Sequence, residues 1–134
     1  MNIEEKVRKT LEELHAEDAA AVEALFDEVR GVMEDERQRL VSYGARDEVE
    51  RQSLAKALRD RWLARKNGLL AHADENWLKK APSQLKPAVG KQFNELRRAA
   101  MACEIAELVK EIPVQRAKLS PLEAFDEGTF QFSK

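Results

Sequence analysis

Between Lys56 and Arg98 the chain sets eleven Lys and Arg side chains against four Asp and Glu. The cations are Lys56, Arg59, Arg61, Arg65, Lys66, Lys79, Lys80, Lys86, Lys91, Arg97 and Arg98. The acids are Asp60, Asp74, Glu75 and Glu95. Residues 1 to 41 reverse the balance, with six cations and twelve acids. A formal net charge of −2 therefore hides a charge-separated molecule with one basic region. Cations gathered this way suit a polyanion, because each neutralised phosphate releases condensed counterions and adds affinity.

Other chemistry finds little support. His15 and His72 are far apart and have no Cys or paired carboxylate at metal-ligand spacing, so no metal is expected. Cys103 lies on an alanine-rich seam with no basic neighbour to favour its thiolate, which predicts a buried, inert thiol. Glu12-Glu13 and Glu34-Asp35-Glu36 read as solubilising charge on exposed helix. No glycine-rich phosphate loop and no nucleophile–base pair is present. The expectation is a chain with no catalytic residue and no cofactor, not an enzyme by itself.

The elements that must carry the cations are helical. Charged residues make up 36% of the 134 positions and aromatics only 6%, a balance typical of long helices rather than sheets. From Ile3 to Val41 apolar residues recur every three or four positions: Ile3, Val7, Leu11, Leu14, Ala21, Leu25, Val29, Val32 and Leu40. That spacing predicts one amphipathic helix interrupted only by Gly31, about 60 Å long. Gly44 is expected to close it in the left-handed conformation. Asp47 and Glu50 resemble a capping box, which opens a second helix reaching about Lys66 with Leu54, Leu58 and Trp62 on one face. Asn67-Gly68 stops it as a pair tolerant of positive φ.

A connector follows, with a short helical piece around Asn76 to Lys80. A third helix begins near Ser83 or Gln84, with Pro87 in its first turn. Its seam is Val89, Phe93, Leu96, Ala100 and Cys103, shifting to Ile105, Leu108 and Ile112 before Pro113. Trp62 and Trp77 are expected in the core rather than stacked on a base. Short links make neighbours antiparallel. The expected fold is all-α: an elongated antiparallel helical hairpin or coiled coil over residues 1–113, the long first helix packed on the second and third. Residues 114–134 are expected to be an irregular tail or linker, broken at Pro121 and Gly128, with Thr129 to Phe132 alternating like a short strand.

One stretch carries a family resemblance. Arg61-Trp62-Leu63-Ala64-Arg65-Lys66-Asn67-Gly68-Leu69-Leu70 leads to Trp77-Leu78-Lys79-Lys80-Ala81-Pro82. Then come Lys86-Pro87-Ala88-Val89-Gly90-Lys91-Gln92-Phe93-Asn94-Glu95-Leu96-Arg97. Over about residues 55 to 99 this resembles the N-terminal region of the α subunit of bacterial phenylalanyl-tRNA synthetases. That family has a helix ending in a leucine-glycine-basic-basic-x-glycine turn, a prolyl segment, and a helix opening with valine-glycine. Ala64 stands where the family usually has glycine, and the sequence holds no class II catalytic motif. The residues after Ala99 do not resemble the family's junction to its catalytic domain. The sequence leaves open an excised arm or a stand-alone relative of it.

The resemblance implies an antiparallel coiled-coil arm that grips transfer RNA. By position it makes Arg61, Arg65, Lys66, Lys91, Arg97 and Arg98 phosphate contacts, with Asn67, Gly68 and Asn94 shaping or supporting the turn. Lys79 and Lys80 join them as members of the basic region. Expected partners are tRNA, synthetase subunits or a second copy, with neither DNA nor a membrane. No apolar run approaches the roughly 20 residues that span a bilayer. The acidic, amphipathic start and the single cysteine are expected of a cytoplasmic protein. The alternative is a helical-hairpin protein-interaction module with no RNA role, using the acidic first helix, uncovered apolar surface, or tail residues Phe125, Phe130 and Phe132.

Overall fold

Three polar caps divide the N-terminal seam. In the computed structural model, which describes residues 1–115, helix α1 covers only Ile3–Lys6. Asn2 opens it with a capping box: its side chain accepts from the Glu5 N–H at 2.8 Å, and the Glu5 carboxylate accepts from the Asn2 N–H at 3.1 Å. A second box follows, in which the Thr10 N–H donates to the Glu13 carboxylate at 2.9 Å and Thr10 Oγ1 accepts from the Glu13 N–H at 3.2 Å. That single turn closes at His15, which adopts a φ of 59°. The His15 N–H donates to Glu12 O at 3.0 Å and the Ala16 N–H to Leu11 O at 2.9 Å, the paired bonds of a Schellman closure. Asp18 then caps α2 (Ala19–Tyr43) by accepting from the Ala21 N–H at 2.8 Å.

The continuous helix expected from Ile3 to Val41 is therefore broken between residues 7 and 18. Each cap satisfies amide groups that a helix start leaves orphaned, and three in eighteen residues offer the backbone an alternative to one long ladder. Most of the apolar seam survives the break: Ile3, Val7 and Leu11 are buried, while Leu14 is only half-buried and Ala16, outside the expected seam, is buried instead.

With 25 residues, α2 is about 37 Å long, not 60 Å. Gly44 ends it at a φ of 71° with its N–H on Leu40 O at 2.8 Å; the φ is positive as expected, but a ψ of −168° is extended and not the left-handed helical value. Crowding also requires glycine there, since a Cβ would lie 2.7 Å from Pro113 O. The next residue ties the turn between α2 and α3 to the C-terminal end of the described residues. The Ala45 N–H donates to Pro113 O at 2.7 Å, and the Gln115 N–H donates to Ala45 O at 2.8 Å.

Helix α3 (Glu48–Leu63) begins with half of the expected box. Asp47 accepts from the Glu50 N–H at 2.8 Å, but the Glu50 carboxylate takes the Arg46 N–H at 2.7 Å. The turn over residues 64–68 has no positive φ, contrary to the expectation for Asn67-Gly68. Gly68 has a φ of −68°. What demands glycine is contact, because a Cβ there would sit 2.5 Å from Ala64 O and 2.7 Å from Ala64 N.

Helix α4 (Leu69–Ala73) runs into a π-helical turn, Asp74–Leu78, and α5 spans Lys86–Ala100 with Pro87 in its first turn. A 3₁₀ turn, Met101–Cys103, and an extended Glu104 separate α5 from α6 (Ile105–Glu111). The expected strand at Thr129 to Phe132, and the tail from residue 116 on, lie outside the described residues.

The fold is all-α in the described residues. Helix α2 packs most extensively on α5 and also on α3, while α3 covers α6 and α4. Phe26 meets Trp77 and Phe93 edge-on, at 5.2 Å and 6.5 Å between ring centroids. Phe26 lies against Phe93 near the start of α2, and Arg37, three turns further on, pairs with Glu111 beyond α5, so the chain from α5 onward runs along α2 in the same direction. The expected hairpin had every neighbour antiparallel. Here residues 64–85 carry the chain back along the bundle before α5 begins, which makes its pairing with α2 parallel. Trp62, Trp77, Phe26, Val89 and Leu96 are fully buried, and large apolar side chains of this kind contribute about 1.5–3 kcal/mol each.

Candidate nucleic-acid interface

The exposed side of α5 carries four cations, Lys86, Lys91, Arg97 and Arg98. Its seam, Val89, Phe93, Leu96 and Ala100, faces the core, and this leaves Lys86, Lys91, Asn94, Arg97 and Arg98 outward. The only acid on α5 is Glu95, and it lies 3.9 Å from Arg30 on α2. None of Lys86, Lys91, Arg97 and Arg98 enters a salt bridge within the described residues. The Arg97 guanidinium rests over the Phe93 ring, 5.3 Å from its centroid, which steadies the stem and leaves N–H donors for an anion. Lys91 and Arg98 are seven residues apart, about 10 Å along the axis.

Arg65 and Lys66 are exposed in the turn after α3 and are likewise free of ion pairs in the described residues. Lys79 sits loosely at 3.6 Å from Glu75, both side chains well exposed. Lys80 reaches Asn76 Oδ1 at 3.5 Å, also at the surface. Exposed pairs of this sort contribute little and yield readily to a competing anion.

Arg61 is different. Its Nε and Nη2 donate to the Glu36 carboxylate at 2.8 and 2.6 Å, and its Nη1 donates to Glu4 at 2.5 Å. The guanidinium also lies 5.7 Å from the Trp62 ring centroid, and the Trp62 Nε1–H donates to Glu36 at 2.8 Å. One arginine thus joins α1, α2 and α3. Its two carboxylate partners raise its pKa, and the Arg61 hydrogen bond is the main cause holding the Glu4 carboxyl below its ordinary value. Arg61 does not stand free for a phosphate.

Of the supporting residues, Asn67 is exposed in the turn and Gly68 is buried at the close contact with Ala64. Asn94 is exposed on α5 and makes no side-chain hydrogen bond to that turn. Both tryptophans are core residues: Trp77 Nε1–H donates to Lys9 O at 2.8 Å. The aromatic of α5, Phe93, is buried beneath Arg97, so the outward face of that helix presents no ring for a base to stack on. Cys103 is buried, and burial pushes its thiol up to about 11.

Sequence reasoning counted Lys86 in the basic region but did not single it out. It also passed over Arg8, an exposed cation whose charge helps to lower the Glu4 carboxyl. Arg8 lies in the acid-rich N-terminal segment, where a regional charge balance conceals it. Compared with family models, with curated proteins and with solved structures, the chain matches none.

Proposed function

We propose that this chain is an RNA-docking helical module, similar in role to the coiled-coil arm of the phenylalanyl-tRNA synthetase α subunit. The supporting observation is α5, whose outward face carries Lys86, Lys91, Arg97 and Arg98 without a neutralising acid. In this reading α2, α3 and α5 are the counterpart of the coiled-coil arm in shorter, thicker form. Arg65, Lys66, Lys79 and Lys80 extend the cationic surface. Arg61 supports the bundle.

The mechanism is electrostatic. Lysines and arginines bond to phosphate oxygens, displace counterions and fix the orientation of the RNA without reading its bases. Chemistry belongs to another domain or subunit, and the setting is the cytoplasm, where transfer RNA is charged. The test is charge reversal on α5. A Lys91→Glu/Arg98→Glu variant should bind bulk tRNA at least tenfold more weakly at low salt while keeping its helical circular dichroism. Equal binding by variant and parent would remove the proposal's support.

A second reading, a protein-interaction module, is favoured by apolar residues on the opposite chemistry. Tyr43 and Val49 are each 79% exposed and flank the Gly44–Ala45 turn to which Val114 is bridged. A complex with a protein partner that survives high salt and is lost in Tyr43→Ser would favour that reading.

A further inference from the structure

We infer that the groove between α2 and α3 is a docking site for the chain's own residues 120–127, with Leu122 and Phe125 seated on its floor. The groove lies off α5, so its occupancy is independent of RNA docking.

The groove measures about 360 Å³. Its floor is Leu40 of α2 with Leu54, Ala57 and Leu58 of α3, and Arg39 and Arg61 stand at its rim. Leu40 and Leu54 are only half-buried, and Ala57 is exposed. Among the described residues only α2 and α3 line it, because the rest of the bundle covers the other side of this pair. Phe26 and Arg37 of α2 meet Phe93 and Glu111, and Arg51 of α3 reaches Ile112 O at 3.5 Å. At about 100° per residue, Arg39 lies roughly 200° around α2 from Arg37, and Ala57 roughly 240° around α3 from Arg51.

Three observations point to residues 120–127 as the occupant. The first is where the chain leaves the described residues. The Gln115 N–H is held on Ala45 O at 2.8 Å, at the turn that joins α2 to α3. Leu40 stands about 7 Å back along α2 from Ala45, whereas the stretch from Gln115 to Leu122 can reach about 25 Å. The second is apolar spacing. Leu122 and Phe125 are separated by the step that places two side chains on one face of a helix. Ser120 and Glu123 have capping-box spacing, Pro121 is a type favoured at a first helical position, and Gly128 is a type that follows a last one. The third is charge. Arg39 is exposed and enters no salt bridge within the described residues. Glu123, Asp126 and Glu127 bring carboxylates beside the apolar pair. Arg61 keeps Glu36 and Glu4. Seated in the groove, the segment covers the half-buried leucines and gives Arg39 its partner, and this burial offsets the cost of ordering it.

The test uses the full chain with a nitroxide attached through Thr129→Cys, since the native Cys103 is buried and inert to labelling. The reporters are the methyl resonances of Leu40 and Leu54. Val22 is the control, buried on α2 about 27 Å from Leu40 along the helix. The nitroxide should abolish the Leu40 and Leu54 signals and spare Val22. Adding Leu122→Ser and Phe125→Ser should restore them, because the tether remains and the anchors are gone. Arg39→Glu should restore them in part, with the docking constant lowered about two- to fivefold, the range of one exposed ion pair. Leu40 and Leu54 signals that survive the nitroxide would overturn the inference and leave the groove to another chain. So would a loss that persists without Leu122 and Phe125. When nitroxide-bearing chains are mixed with isotope-labelled chains that lack the nitroxide, the labelled chains should keep both signals. Their loss would make a second copy the occupant and overturn self-docking. None of these readouts involves RNA, so a failure here leaves the docking reading to its own test.

Discussion

Glu36 and Gly68 show how much a single side chain, or its absence, decides in this bundle. The Glu36 carboxylate receives three hydrogen bonds, two from Arg61 and one from Trp62. Glu36→Ala would leave a half-buried guanidinium and a fully buried indole N–H without that partner. The expected loss is about 1–3 kcal/mol of stability, measured by urea unfolding. Gly68 is irreplaceable for a steric reason. Its φ suits any residue, yet a Cβ would strike Ala64 backbone atoms that no rotamer change can move. Gly68→Ala should cost at least about 1 kcal/mol and open the 64–68 turn. Gly31→Ala makes the contrast: Gly31 is exposed in mid-α2 with nothing within 4 Å of a Cβ, so alanine should add about 0.5–1 kcal/mol. Equal effects of the two substitutions in thermal unfolding would contradict this account of both glycines.

At the scale of elements, the apolar seams were legible and the breaks were not. Val89, Phe93, Leu96, Ala100 and Cys103 were expected to face inward, and all are buried. Leu11 is buried too, although the segment holding it is not the helix its spacing suggested. Periodicity reports which face goes inside, and a chain of short turns can keep the same face. The break itself had local signals, Asn2 with Glu5, Thr10 with Glu13, and Asp18, which a strong hydrophobic pattern overshadowed. Removing one should matter: Asp18→Ala should fray the start of α2 and cost about 1 kcal/mol. Hydrogen exchange at residues 19–22 would report it, and unchanged protection would argue against the cap. The capture of Arg61 was beyond sequence reasoning, since Glu4, Glu36 and Arg61 come together only when three elements pack. The parallel pairing of α2 with α5 has the same origin, in a return segment whose length shows no direction.

For the whole molecule, the internal pairing of its carboxylates contributes to stability. Glu4, Glu34, Glu48, Glu50 and Asp60 all have carboxyl pKa values lowered by hydrogen bonds in the folded state. A folded-state pKa below the unfolded one gives stability that is present above the unfolded value and lost as pH falls through the folded value. Thermal stability should therefore be level from pH 7 to about 5 and drop below about 4. A midpoint that rose on acidification would contradict that sign.

The outward cations of α5 remain after these internal pairings, and the functional account depends on them. The most direct measurement is the salt dependence of tRNA binding by the intact chain, taken from about 50 to 200 mM salt. The account predicts a straight line of log K against log salt whose slope corresponds to several released counterions, and a flatter line when Lys91 and Arg98 are reversed to Glu. Binding indifferent to salt, or a slope unchanged by the reversal, would contradict it.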